Sequence, residues 1–156
     1  MLTIIGCGNS NRSDDAVGVI VAQRLQSHQK TNPQPDVRIF DAGTAGMDVM
    51  FQARGSKALI IIDANQSESE PGTIFKVPGE ELENIPQPSY NLHDFRWDHA
   101  LYAGKQIFKE QFPIDVTVYL IEAAKLSPGL ELSPEVARAA DSVCKSIIQQ
   151  INQHHD

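Results

Sequence analysis

Ala58-Leu59-Ile60-Ile61-Ile62-Asp63 decides the fold: five apolar residues without a break, then a carboxylate. A strand with one solvated face alternates apolar and polar residues. An unbroken apolar run is what a strand packed on both faces needs, as at the centre of a parallel sheet. The flanking sequence agrees. Leu2 to Ile5 is a short, largely β-branched run closed by Gly6 and reads as a buried strand. Val17 to Leu25 carries Val17, Ile20, Val21 and Leu25 at the spacing of an amphipathic helix. The polar, proline-containing stretch His28 to Pro35 reads as a loop, Val37 to Phe40 as a second strand, and Met47 to Gln52 as the start of a short helix.

Beyond Asp63, Thr73 to Val77 alternates like an edge or hairpin strand, and Val116 to Ile121 is another strand. Two more helices are expected. The clearer runs from Ser133 to Ile151, with Ser133 as its cap, Pro134 at the first helical position, and Val136, Ala140, Val143, Ile147 and Ile151 on one face. Strand-helix-strand-helix-strand at the start, followed by more strands and two helices, implies a largely parallel sheet with helices on both sides. The expected class is α/β: a three-layer, mostly parallel twisted sheet with helices on both faces, and a flavodoxin-like order of the first strands. Pro78 to Pro88 is the stretch expected to be a mobile excursion.

At 156 residues the chain is expected to be a single domain, 1–156. Its formal net charge of −7, with no basic stripe, argues against nucleic-acid binding. The longest apolar run is far too short to span a bilayer, and the first residues carry neither the charged lead nor the apolar core of a signal peptide. No membrane association and a cytoplasmic location are therefore expected. Cys7 and Cys144 are the only cysteines, which excludes a disulfide scaffold and a cysteine-based zinc site.

In an α/β sheet, sites form past the carboxyl ends of the strands. Four segments fall there. Gly6-Cys7-Gly8-Asn9, with Asp14, Asp15 and Gly18, follows strand one. It is not a dinucleotide fingerprint, because Asn11 stands where the third glycine belongs and two carboxylates would repel a pyrophosphate. Asp14 and Asp15 can also serve as caps at a helix start, one capping while the other faces the cleft. Asp41-Ala42-Gly43-Thr44-Ala45-Gly46 follows strand two and reads equally as a plain turn with Asp41 bonding nearby amides. Asp63 closes the central strand, as a turn former or as a group facing Asp15 across one cleft. His93, within Ser89-Tyr90-Asn91-Leu92-His93-Asp94, is the best-placed histidine, with His99 its rival. Two carboxylates and an imidazole suit a divalent transition metal with open positions. No nucleophile elbow or HExxH motif occurs, and Cys7 has no local base.

Together these segments resemble the hydrogenase maturation proteases. So does Glu131-Leu132-Ser133-Pro134, which is similar to that family's start of the last helix. The likeness runs from about residue 1 to about residue 145. It implies the fold already described and an endopeptidase that removes a C-terminal peptide from the large-subunit precursor of a nickel–iron hydrogenase. It also implies that Asp15, Asp63 and His93 are the metal-contacting and catalytic residues, with Asp41, Gly8, Asn9, Asp14 and Gly43 in support. Many members carry glutamate where this chain has Asp15, which shortens the reach by one methylene. The nickel is expected to arrive with the precursor, and other divalent metals can take its place. The enzyme itself is expected to be a monomer, with Phe95 and Trp97 as docking or packing residues. The alternative is a non-proteolytic metal-checking chaperone or assembly factor for the same precursor; a nucleotide-binding module is the third reading.

Overall fold

The computed structural model describes residues 1–44, 46–82 and 97–153, with the backbone alone for residues 46–47 and 81–82. Its sheet holds five strands: β1 Leu2–Cys7, β2 Val37–Gly43, β3 Ala58–Asn65, β4 Ile74–Pro78 and β5 Asp115–Glu122. Their order is β2-β1-β3-β5-β4. β1 runs parallel to β2 and β3, β3 runs parallel to β5, and β4 pairs antiparallel with β5 at the edge. The helices are α1 Val17–Thr31, α2 Gly46–Ala53, α3 Trp97–Phe108 and α4 Pro134–Gln153.

The apolar run of β3 is buried on both sides, as its composition requires. Alternate residues serve opposite faces. Ile4, Ile60 and Ile62 pack with Val17, Val21 and Leu25 of α1 and Val136, Val143 and Ile147 of α4. Ile5, Leu59, Ile61 and Val118 pack with Val49 and Met50 of α2 and with Trp97, Ala100 and Leu101 of α3. Each large aliphatic side chain so buried contributes about 1.5–3 kcal/mol. The result is three layers: α1 and α4, the sheet, then α2 and α3.

Gly18 sets how closely the first helix approaches the sheet. A Cβ there would overlap the carbonyl oxygens of Ile62 and Cys7. Only glycine lets the start of α1 lie directly on the carboxyl ends of β1 and β3.

Several boundaries differ from the sequence expectation. α1 continues to Thr31 through the segment read as a loop from His28, and Asn32 closes it with its N–H on the His28 carbonyl at 2.9 Å. The side chain of Gln29 holds that last turn in place, donating to the carbonyls of Gln34 (3.1 Å) and Val37 (2.8 Å). β3 does not end at Asp63. Its ladder with β5 runs two residues further, pairing Asn65 with Glu122. Pro78 closes β4, and a 3₁₀ turn over Gly79–Leu82 follows. The rest of the stretch expected to be an excursion lies outside the described residues. Among the described residues, no helix is long and apolar enough to cross a membrane.

Candidate active site

The parallel strands β1, β2, β3 and β5 end along one edge of the sheet, and the described candidates Asp15, Asp41 and Asp63 lie on or just past those strand ends. The β1–α1 connection is held by its own backbone. Gly8 has φ +134°, and a Cβ would overlap the Asp15 carbonyl oxygen. Its N–H donates to the Gly43 carbonyl at 2.8 Å, which joins the first glycine segment to the second. The N–H of Asn9 donates to Asp15 Oδ2 at 2.9 Å. Asp15 is half-buried in a 3₁₀ turn over Ser13–Ala16. Asp41 is exposed and closes a local turn, accepting from the N–H of Gly43 (3.1 Å) and from Gln23 Nε2 (3.3 Å).

Neither Asp14 nor Asp15 caps a helix by its side chain, contrary to one expectation: no side-chain cap bond closes the 3₁₀ turn or α1. Asp14 turns inward instead and is fully buried. Its Oδ2 accepts from the N–H of Ala124, the N–H of Lys125 and the Ser133 hydroxyl, each at 2.8 Å. Its Oδ1 accepts from the N–H of Ser133 at 2.7 Å. Ser133 therefore spends its hydroxyl proton on Asp14, a role its position before α4 did not reveal. Neighbouring bonds join the same two loops: Ser13 Oγ donates to the Ser127 carbonyl at 2.9 Å, and Arg12 Nε to the Leu126 carbonyl at 3.1 Å.

Asp63 shares the face of Leu59 and Ile61 by strand alternation, which is the face α3 covers. It is 5% exposed. Its Oδ1 accepts from the N–H of Ala64 at 2.8 Å, and its Oδ2 from the indole Nε1 of Trp97 at 2.9 Å. Trp97 is thus buried against Asp63 rather than presented for docking. Gly18, three residues past Asp15, lies on the carbonyl of Ile62, the residue before Asp63. His99, on the first turn of α3, sits beside its own neighbour, with Nδ1 3.2 Å from Asp98 Oδ1. His93 and Phe95 lie outside the described residues. Among the described residues, no three of His, Cys, Asp and Glu converge as a metal would require.

One carboxylate at this edge was missed from sequence. Glu122, the last residue of β5, is buried and accepts from Asn65 Nδ2 (2.9 Å), the N–H of Ser67 (2.8 Å) and the Ser67 hydroxyl (2.7 Å). Burial opposes its charge, but these hydrogen bonds outweigh burial and hold the carboxyl below its ordinary 4.5. The signal was available: like Asp63, Glu122 follows an apolar strand run.

A family model described as hydrogenase maturation protease (HycI) matches residues 19–150. The chain belongs to the hydrogenase maturation protease family. Membership places it among the protease hydrolases. Hydrogenase 2 maturation protease of Escherichia coli is 27% identical over 154 residues, 97% of this chain and 91% of that one. Coenzyme F420 hydrogenase subunit delta of Methanothermobacter thermautotrophicus is 30% identical over 157 residues, 96% and 94% of the two chains. The architecture agrees with solved structures of the family: the maturating endopeptidase HybD of E. coli superposes with a TM-score of 0.79 at 22% identity, over 98% of this chain and 93% of that one.

Proposed function

We propose that the chain is an endopeptidase that removes a C-terminal peptide from the nickel-loaded large-subunit precursor of a nickel–iron hydrogenase. The observation that carries this reading is a chain of this family with carboxylates on β3 and on the turn before α1, at one edge of the sheet. Asp15, Asp63 and His93 meet the nickel that the precursor brings. Two carboxylates and an imidazole form a hard-to-intermediate donor set, suited to such an ion when the substrate supplies the remaining ligands. Chain connectivity supports the third member. His93 precedes Trp97 by four residues, a span of at most about 14 Å, and Trp97 touches Asp63.

Substrate-borne nickel polarises the scissile carbonyl or a water. A carboxylate of the site takes the proton of the attacking water and returns it to the leaving nitrogen, so that one water is added across one peptide bond. Cleavage then waits for nickel because a precursor without it offers the site no anchor. The proposed enzyme acts as a cytoplasmic monomer.

Intact masses of nickel-loaded and nickel-free precursor after incubation with the purified protein test this. Loss of a C-terminal peptide from the loaded form alone is expected; equal cutting of the nickel-free form would overturn the gating. A second reading is favoured by the relative named as a hydrogenase subunit: the chain stays with the precursor as an assembly factor and does not cut. A stable complex with the full-length precursor would support it.

A further inference from the structure

We propose that Trp97 is a positioning residue for Asp63, its indole N–H holding the carboxylate in the plane in which it meets the substrate. The proposal rests on the reading of Asp63 above. The terminal torsion of an aspartate is broad and two-fold, so one donor on one oxygen leaves the plane of the group loosely set. Asp63 has donors on both oxygens from two different elements: the N–H of Ala64 on Oδ1, from β3, and Trp97 Nε1 on Oδ2, from α3. Trp97 is 7% exposed and packs with Ala100, Leu101 and Val49. A phenylalanine could fill most of that volume. What phenylalanine lacks is the buried N–H, and a buried N–H requires an acceptor. The indole is also fixed at the first turn of a helix that buries Ala100, Leu101 and Gly104, so its position is set by the fold before substrate arrives.

Trp97 is the only tryptophan in the chain, so replacing tryptophan during biosynthesis alters this position alone. Protein carrying 3-benzothienylalanine keeps the ring shape but has sulfur in place of the N–H. Its kcat on nickel-loaded precursor should fall about tenfold, the effect of losing one hydrogen bond to a charged group, with KM changed less than about twofold. Protein carrying 5-fluorotryptophan, which keeps the N–H, should process at close to the normal rate. Unchanged kcat in the sulfur form, with Asp63→Asn inactive, overturns the role of Trp97 while leaving the reading of Asp63 standing. Full processing by Asp63→Asn overturns that reading and the proposal with it. The unsubstituted protein gives an independent check. Its single indole 1H–15N resonance should lie downfield of free tryptophan and shift upfield in Asp63→Asn. A resonance at the free position, or one that Asp63→Asn does not move, would also overturn the proposal.

Discussion

Asp14 and Ser133 are 119 residues apart in the chain and share two hydrogen bonds, the N–H of Ser133 to Oδ1 at 2.7 Å and its hydroxyl to Oδ2 at 2.8 Å. The same carboxylate takes the N–H groups of Ala124 and Lys125. One buried side chain thereby joins the turn that carries Asp15, the segment leaving β5 and the start of α4. Asp14 and Asp15 are adjacent in sequence but divide the labour: one is spent inward on the fold, the other stands half-buried at the edge of the sheet.

Asp14→Ala should therefore cost stability first. It removes the acceptor from three backbone N–H groups and a hydroxyl, and buried donors without partners cost about 1–3 kcal/mol each where no water reaches them. With partial relaxation a loss of about 3 kcal/mol is expected, which in a chain of this size lowers Tm by roughly 6–12 °C. Calorimetry of the purified variant measures it. An unchanged Tm would show that the four donors find other partners.

Asp15→Asn should behave in the opposite way. Its carboxylate takes one backbone N–H, so stability should change by less than about 1 kcal/mol, while processing of nickel-loaded precursor falls by about 100-fold or more. Asp63→Asn should lose processing to a similar extent, with a larger fall in Tm than Asp15→Asn because it is buried between two donors. Rates from intact mass and melting curves on the same preparations separate the two effects. Wild-type rates in both variants would remove Asp15 and Asp63 from the mechanism.

Gly18→Ala tests the seating of α1. The added Cβ would meet two backbone carbonyl oxygens, Ile62 and Cys7, and neither can swing aside as a side chain can. Displacing the helix start costs about 3 kcal/mol, the upper end of ordinary overpacking. Because the turn bearing Asp15 leads directly into this helix, processing should fall together with stability. Gly55→Ala is the control, since a Cβ at that position would meet no atom within 4 Å, although its φ of +85° leaves some strain.

Glu122 should make stability depend on acid. Its folded-state carboxyl is held below 4.5, so the unfolded chain binds the proton more readily. The charged form therefore stabilises the fold above pH of about 4.5, and that contribution is lost as pH falls through the lower folded value. Denaturant melts from pH 7 down to pH 3 should show the decline, and Glu122→Gln should be less stable at pH 7 with a shallower fall on acidification. Parallel curves for the two proteins would assign the acid sensitivity to other groups.

The secondary structure was legible where it depended on local pattern. The unbroken run of β3 demanded two covered faces, and the spacing of Val136, Val143 and Ile147 marked the buried side of α4. Where a distant partner intervened, local reading failed. The polar end of α1 stays helical because Gln29 reaches the carbonyls of Gln34 and Val37, and the choice between docking and packing for Trp97 turned on Asp63, 34 residues away. The sequence by itself determined which segments become strands and helices, that the sheet is parallel at its centre, and that carboxylates cluster after strand ends, because periodicity and residue chemistry are local properties. Only the tertiary structure decided which carboxylate serves the fold and which faces the edge. Asp14, Asp63 and Glu122 find their partners 119, 34 and 57 residues away, through the register of the sheet and the seating of helices on it, and no spacing along the chain encodes those meetings.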